Sequence, residues 1–194
     1  MSGGSILFAG VGGQGILLAS EITSYALMAA GYDIKKSEVH GMAQRGGSVT
    51  AQLRYGKKVY SPLIGAGGAD ILAAFELMES LRYMPHLSSR SRVIVNTQKI
   101  LPPSVATGQQ QYPADVLETL KARGLSVFPV NAFDIAREVG EIRTANMVLV
   151  GALSSFVNVT AEYFVDVINE RVKKGFEKVN VEAFNRGRAL TGGF

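Results

Sequence analysis

Cysteine and tryptophan are absent from this chain of 194 residues, and histidine occurs only twice. No apolar run approaches the roughly 20 residues that a bilayer span requires. Each absence removes a class of function. Without a thiol, this chain carries no disulfide, no cysteine nucleophile and no cysteine-ligated iron–sulfur cluster. His40 and His86 do not suffice for a multi-histidine centre, so no metal site is expected. The first residues lack a basic stretch followed by an apolar one, and the expected location is the cytoplasm, with no membrane association. Positive charge is not concentrated either: the formal net charge of +4 is carried by scattered pairs such as Lys35 and Lys36, Lys57 and Lys58, Arg90 and Arg92, and Lys173 and Lys174. A basic stripe with interleaved aromatics is missing, which argues against nucleic-acid binding and leaves a docking face for an acidic partner or a coenzyme phosphate.

What is present is a core and a glycine cluster. Apolar residues make up 47% of the chain, enough for one α/β domain, expected to occupy 1–194. Residues 6–9, Ile-Leu-Phe-Ala, form a short apolar run of the kind buried on both faces of a sheet. From Ile16 the period changes, with Leu18, Ile22, Tyr25 and Ala29 at helical offsets up to a stop near Gly31. Gly10, Gly12, Gly13 and Gly15 therefore sit in a strand-to-helix turn with G-x-G-x-x-G spacing. Such a turn suits an anionic group at bare backbone and a helix start, and it suits close strand–helix packing equally well.

Further along, residues 32–39 contain a second strand, and residues 48–55 alternate, with Val49, Ala51, Leu53 and Tyr55 on one face. Residues 59–64 read as a short extended return that pairs with 48–55 in a hairpin, limited by Pro62 to an edge or a strand end. Strands follow at 70–75, 92–96 and 125–130, with a helix stopped by Pro85, a long polar connection over 97–112, and a helix closed by Gly124. The last third is helical, with Asn131, Thr160 and Asn180 as N-caps. The fold class expected is α/β: three layers, a largely parallel sheet, a hairpin insertion after the second strand and a helical C-terminal third. Function is then expected beyond the strand carboxyl ends, where the glycine turn lies.

A dinucleotide site needs an acidic residue about 20 positions beyond the glycines to hold a ribose hydroxyl. Asp33 would start the second strand, and Glu38 ends it. The segment after Glu38 is a polar loop instead of a crossover helix, so an autonomous NAD(P)- or nucleotide-binding protein is the alternative reading. A scaffold without ligand is a third.

Gly10-Val11-Gly12-Gly13-Gln14-Gly15, followed by Lys36-Ser37-Glu38-Val39-His40-Gly41-Met42-Ala43-Gln44-Arg45-Gly46-Gly47-Ser48, resembles the gamma-type subunit of 2-oxoacid:ferredoxin oxidoreductases. The Glu-Val-His-Gly-Met-Ala-Gln lead is most similar to the small subunit of the indolepyruvate branch, and Tyr60-Ser61-Pro62-Leu63-Ile64 and Ala69-Asp70-Ile71-Leu72 add to the likeness. The resemblance implies an enzyme in which thiamine diphosphate attacks a 2-oxo acid, carbon dioxide leaves, electrons pass through iron–sulfur clusters to ferredoxin and coenzyme A takes the acyl group. This chain has neither a Gly-Asp-Gly diphosphate motif nor a cysteine, so the resemblance places thiamine diphosphate, magnesium and the clusters on partner subunits. It also implies that the chain is inactive alone and that coenzyme A or substrate enters at the interface. An apolar patch left by a missing partner would make the isolated chain self-associate.

No catalytic residue is expected. Arg45 offers a planar five-donor head either to an anion or across a subunit interface. His40 suits a hydrogen bond to substrate or simple backbone satisfaction. Glu38 and Gln44 orient the loop, Gly46 and Gly47 give it freedom, and Met42 packs against a partner or the core. Ser48 has no recognisable histidine–carboxylate system, which excludes a serine hydrolase.

Overall fold

A computed structural model describes residues 3–40 and 47–192, and of His40 only the backbone. The sites anticipated at Met42, Gln44, Arg45 and Gly46 and the side chain of His40 lie outside the described residues. Six strands form one sheet: β1 Gly4–Val11, β2 Asp33–His40, β3 Ser48–Gly56, β4 Ala69–Ala74, β5 Leu87–Asn96 and β6 Ser126–Val130. Their order is β2-β3-β1-β4-β5-β6. β1, β4, β5 and β6 are parallel, while β3 runs against both β1 and β2. The α/β class and the largely parallel sheet are thus present, with a single reversed strand.

The hairpin is not where the alternation placed it. β3 pairs with β2 over the whole length of β2, from Asp33 opposite Gly56 to His40 opposite Val49. Residues 59–64 join no strand. The N–H groups of Val59 and Ile64 are taken by side chains, donating to Asp33 Oδ2 at 2.9 Å and Gln52 Oε1 at 2.6 Å, so the segment has no need of a ladder.

Strand pleating divides the core. Ile6 and Phe8 of β1 and Ile71 and Ala73 of β4 face a large apolar cluster, and Leu7, Ala9, Leu72 and Ala74 face a second, smaller one. The large cluster is covered by α1 Ile16–Ala29, α5 Ala132–Val139, α6 Ala145–Ser154, α7 Ala161–Arg171 and α8 Glu177–Ala189. The other face carries α2 Leu77–Arg82 and α4 Val116–Ala122, and one further turn, α3 Pro103–Ala106, sits in the long 97–112 connection. Three layers result. Burial of each large side chain such as Phe8, Phe164 or Phe184 contributes about 1.5–3 kcal/mol.

α1 is buried although it carries Ser20, Thr23 and Ser24, because each hydroxyl donates to a carbonyl of its own helix: Leu17 at 2.9 Å, Ala19 at 2.8 Å and Ser20 at 2.7 Å. Gly31, at φ 90°, ends it as expected. Asn131 caps α5 by accepting from the Asp134 N–H. Asn180 does not cap α8. The helix begins at Glu177, and Asn180 lies within its first turn with Nδ2 donating to Phe176 O at 2.7 Å. Helices α6 and α8 cross at Gly151 and Gly187, where a Cβ would overlap the Phe184 and Val148 carbonyl oxygens respectively.

Candidate functional site

The carboxyl ends of β1, β4 and β5 open onto a cleft of about 550 Å³ bounded by the glycine turn, residues 96–100 and the start of α6. Parallel strands side by side put these ends together, and the turn between β1 and α1 forms the floor. Gln14 organises it. Its Oε1 accepts the Val11 N–H at 2.8 Å, and its Nε2 donates to the Phe75 carbonyl at 2.7 Å and to Gln98 Oε1 at 3.1 Å. The same Phe75 carbonyl accepts from Asn96 Nδ2 at 3.0 Å, and Asn96 Oδ1 accepts from the Ala132 N–H at 3.3 Å. One carbonyl beyond β4 thereby ties the ends of β1 and β5 together through neutral amides.

The glycines divide by role. A Cβ at Gly10 would stand 2.7 Å from Phe75 Cβ and 2.8 Å from Gln14 Oε1, so its lack of a side chain lets the turn close on β4. Gly15, at φ 75°, precedes α1 and leaves room for Asn146. Gly13, at φ 101°, faces open space. The Gly12 N–H donates to the Gly47 carbonyl at 2.9 Å and the Gln14 N–H to the Val11 carbonyl at 3.2 Å. Two N–H groups that a diphosphate cradle would use are therefore engaged by the protein itself, while Gly13 and Gly15 remain at the cleft surface.

Charge reaches the cleft from a residue that sequence reasoning missed. Arg143 lies at the mouth, held by Glu141 through Nε at 2.8 Å and a terminal nitrogen at 2.6 Å, with its guanidinium 5.0 Å from the Phe176 ring centroid. The Arg143 side chain, then its backbone N–H, holds the Glu141 carboxyl down to about 2. The guanidinium is correspondingly pushed above its ordinary value. Phe133 and Ile142 add exposed apolar surface to the rim.

Glu38 is separated from this cleft. β3 lies between β1 and β2, so the end of β2 is two strand spacings, roughly 10 Å, from the glycine strand. Its carboxylate pairs with Lys36 at 2.7 Å and meets Ser20 Oγ at 3.4 Å. The ribose-binding role that the dinucleotide alternative needs fails on this topology. Of the loop after it, Gly47 reaches the glycine turn through the bond from Gly12.

Two buried carboxylates follow Phe75 beneath the surface, and no spacing rule announced them. Glu76 is fully buried and accepts from Tyr112 Oη at 2.5 Å, the Ile100 N–H at 3.1 Å and the Glu79 N–H at 3.0 Å. Glu79, also buried, accepts from Ser48 Oγ at 2.7 Å and from Arg82 Nε at 2.9 Å. Ser48 thus gives its proton to a carboxylate, in keeping with the rejection of a serine hydrolase. Among the described residues no group of three or more histidine, aspartate or glutamate side chains is placed to hold a metal ion. Among them, too, no helix is long and apolar enough to cross a membrane. Asn96 was missed too, although it carried a signal: a polar residue closing the apolar run Val93-Ile94-Val95 at a carboxyl strand end.

A family model described as pyruvate ferredoxin/flavodoxin oxidoreductase matches residues 5–190. The chain is 40% identical over 194 residues to indolepyruvate oxidoreductase subunit IorB of Archaeoglobus fulgidus, covering 97% of this chain and 96% of that protein. It is 39% identical over 190 residues to the protein of the same name from Pyrococcus horikoshii, covering 94% and 93%. Among solved structures, 2-oxoglutarate:ferredoxin oxidoreductase from Magnetococcus marinus, with 2-oxoglutarate, coenzyme A and succinyl-CoA bound, superimposes with a TM-score of 0.77 over 100% of this chain and 32% of that one. At 22% identity that likeness concerns the fold. A family match over residues 5–190 and 40% identity over nearly the full length of a relative place it: the chain belongs to the pyruvate ferredoxin/flavodoxin oxidoreductase family.

Proposed function

We propose that this chain is the non-cofactor subunit of a cytoplasmic thiamine-diphosphate-dependent 2-oxoacid:ferredoxin oxidoreductase of the indolepyruvate branch, folded as a single domain over 1–194. The observation that carries the reading is near-full-length identity of 40% to a subunit named for indolepyruvate oxidation. Thiamine diphosphate, magnesium and iron–sulfur clusters belong in this reading to partner subunits, since a chain without cysteine offers no thiolate to a cluster. Ferredoxin is met only through those partners. Where bound, the thiamine cofactor supplies the decarboxylation chemistry.

The chain's own contribution is a wall. The cleft at the carboxyl strand ends offers neutral amides, an apolar rim at Phe133 and Ile142, and one guanidinium at Arg143. That set suits the amide-bearing arm and an anionic end of coenzyme A at the subunit interface better than a diphosphate held by a glycine cradle, because two loop N–H groups are already committed. Glu38, His40, Gln44, Arg45, Gly46 and Gly47 are, in this reading, the sequence segment that meets substrate or the partner subunit.

The test is reconstitution without oxygen. The purified chain is expected to be colourless, free of thiamine and inactive. Added to the thiamine-dependent subunit of its own enzyme, it should support viologen reduction with aryl-pyruvates in preference to pyruvate or 2-oxoglutarate. Activity of the partner that is indifferent to this chain, or NAD(P) binding by the chain alone, would overturn the reading.

A further inference from the structure

Between Gly56, the last residue of β3, and Ala69, the first of β4, the chain leaves the sheet at its amino-terminal edge, opposite the glycine turn. Val59 and Ile64 are buried and pin the segment at two points, through their N–H bonds to Asp33 and Gln52 and a 3.2 Å contact between the Ile64 carbonyl and His86 Nδ1. The four residues between them bow outward. Tyr60 is 87% exposed and Leu63 is 64% exposed, the two highest values among the exposed large hydrophobic side chains of the described residues. The bow is nonetheless fixed: Arg54 donates to the Ser61 carbonyl at 3.4 Å, the Leu63 N–H donates to Ser61 Oγ at 3.2 Å, and Pro62 restricts the backbone.

An aromatic ring and a leucine held in water by a rigid strap forgo burial in the free chain and lose little freedom on binding, which is the profile of an interface anchor. The charge around them is mainly positive, although Lys58 pairs with Asp33 at 3.7 Å. Arg54, Lys57 and Lys58 stand beside Tyr60 along a cleft of about 710 Å³. Among the described residues, neither Arg54 nor Lys57 has an ion-pair partner. Asp70, the one carboxylate of that cleft, is occupied by the Ser5 N–H at 2.8 Å and hydroxyl at 2.9 Å.

We propose that this strap docks the cofactor-bearing subunit, with Tyr60 and Leu63 entering an apolar pocket whose acidic rim faces Arg54, Lys57 and Lys58. A second copy of this chain fits less well, because a two-fold contact here would bring the same three cations of both copies together. The inference rests on the reading of the chain as a dependent subunit, and the experiment separates the two.

The chain is titrated against the thiamine-dependent subunit of its own enzyme, at low and high salt, as wild type, as the double variant Tyr60→Ala with Leu63→Ala, and as Lys57→Glu. Thermal melting monitors folding, and light scattering follows self-association. Docking at the strap predicts a Kd raised at least about tenfold in the double variant, equivalent to roughly 1.4 kcal/mol, at an unchanged melting temperature. It also predicts weaker binding and a shallower salt dependence for Lys57→Glu. Variants that bind within about twofold of a tight wild-type complex would overturn the docking site and leave the subunit reading standing. Loss of self-association with partner affinity retained would assign the strap to a second copy and overturn the proposal. A wild-type chain that does not bind at all would overturn both.

Discussion

Gln14 donates from Nε2 to the carbonyl of Phe75, 61 positions away, at 2.7 Å. Through its other amide atom it holds the Val11 N–H, so one side chain fastens the glycine turn to the end of β4. Both amide ends are specified: an acceptor toward Val11 and a donor toward Phe75. The relationship also explains Gly10, since any Cβ there would push against Phe75 and Gln14 at once.

Replacing Gln14 therefore distinguishes donor from acceptor. Gln14→Ala leaves the Val11 N–H and one Phe75 bond unmade and is expected to cost about 1–3 kcal/mol. Gln14→Glu keeps the acceptor but aims a carboxylate oxygen at a carbonyl oxygen, and should cost at least as much at neutral pH. Urea unfolding with an unchanged slope reads both. Glutamate tolerated at wild-type stability would show that the donated bond to Phe75 does not matter.

Two glycines should separate by mechanism. At Gly187 a Cβ would overlap the Val148 carbonyl where α8 crosses α6, and neither backbone has room to retreat. Gly187→Ala is expected to cost more than about 3 kcal/mol or to prevent folding. Gly13 faces open space at φ 101°, so Gly13→Ala should cost only backbone strain, about 1–2 kcal/mol. Soluble yield and thermal melting of the two variants test the order, and equal effects would contradict it.

Much of the sheet was legible because short apolar runs ending in glycine or asparagine mark buried strands, and the β1 turn and α1 follow from that signal directly. The hairpin was not. Residues 59–64 read as a short extended piece, and only the tertiary fold shows that Asp33 and Gln52 side chains replace the ladder. β2 carries Lys35, Lys36 and Glu38, as an edge strand can, and nothing in that polar run marks β3 as its partner. The Asn180 cap failed for a related reason: α8 starts without any side-chain cap, so local chemistry had nothing to mark. In the cleft, Gln14, Phe75 and Asn96 meet only because β1, β4 and β5 lie side by side. Arg143 carries no motif at all, and its position follows from the turn that starts α6.

Tyr112 anchors the far end of the 97–112 connection. Its hydroxyl donates to Glu76 and accepts from the Met78 N–H at 3.0 Å, while Ile100 of the same connection donates to that carboxylate. Tyr112→Phe removes one partner from a buried carboxylate and should cost about 1–3 kcal/mol, with faster amide exchange at Met78 and over residues 97–112. Burial, then the bond to Glu76, pushes the phenol well above its ordinary value, and burial pushes that of Tyr55 up to about 12, so alkaline ultraviolet titration should find two tyrosines resistant to ionisation. In the variant only the Tyr55 resistance should remain. Unchanged exchange over 97–112 would mean that the connection is held elsewhere.

The Glu141–Arg143 pair carries a pH signature and a functional one. The Glu141 carboxyl is depressed to about 2 by Arg143, so any stability it contributes is complete above the ordinary carboxyl range near 4.3 and is lost as pH falls toward 2. The pair is solvent-facing, so salt should weaken it. Carbon-detected NMR titration should place the Glu141 midpoint near 2 in the wild type and move it toward the ordinary value in Arg143→Ala. In the reconstituted enzyme, the loss of the only guanidinium among the described residues at the cleft is expected to raise KM for coenzyme A about tenfold with kcat retained, the pattern of lost uniform binding. Glu141→Gln keeps the Arg143 guanidinium and removes the carboxylate that fixes it, so it should raise KM less. A fall in kcat at constant KM would instead place Arg143 in support of the fold around α6 and take coenzyme A away from this wall.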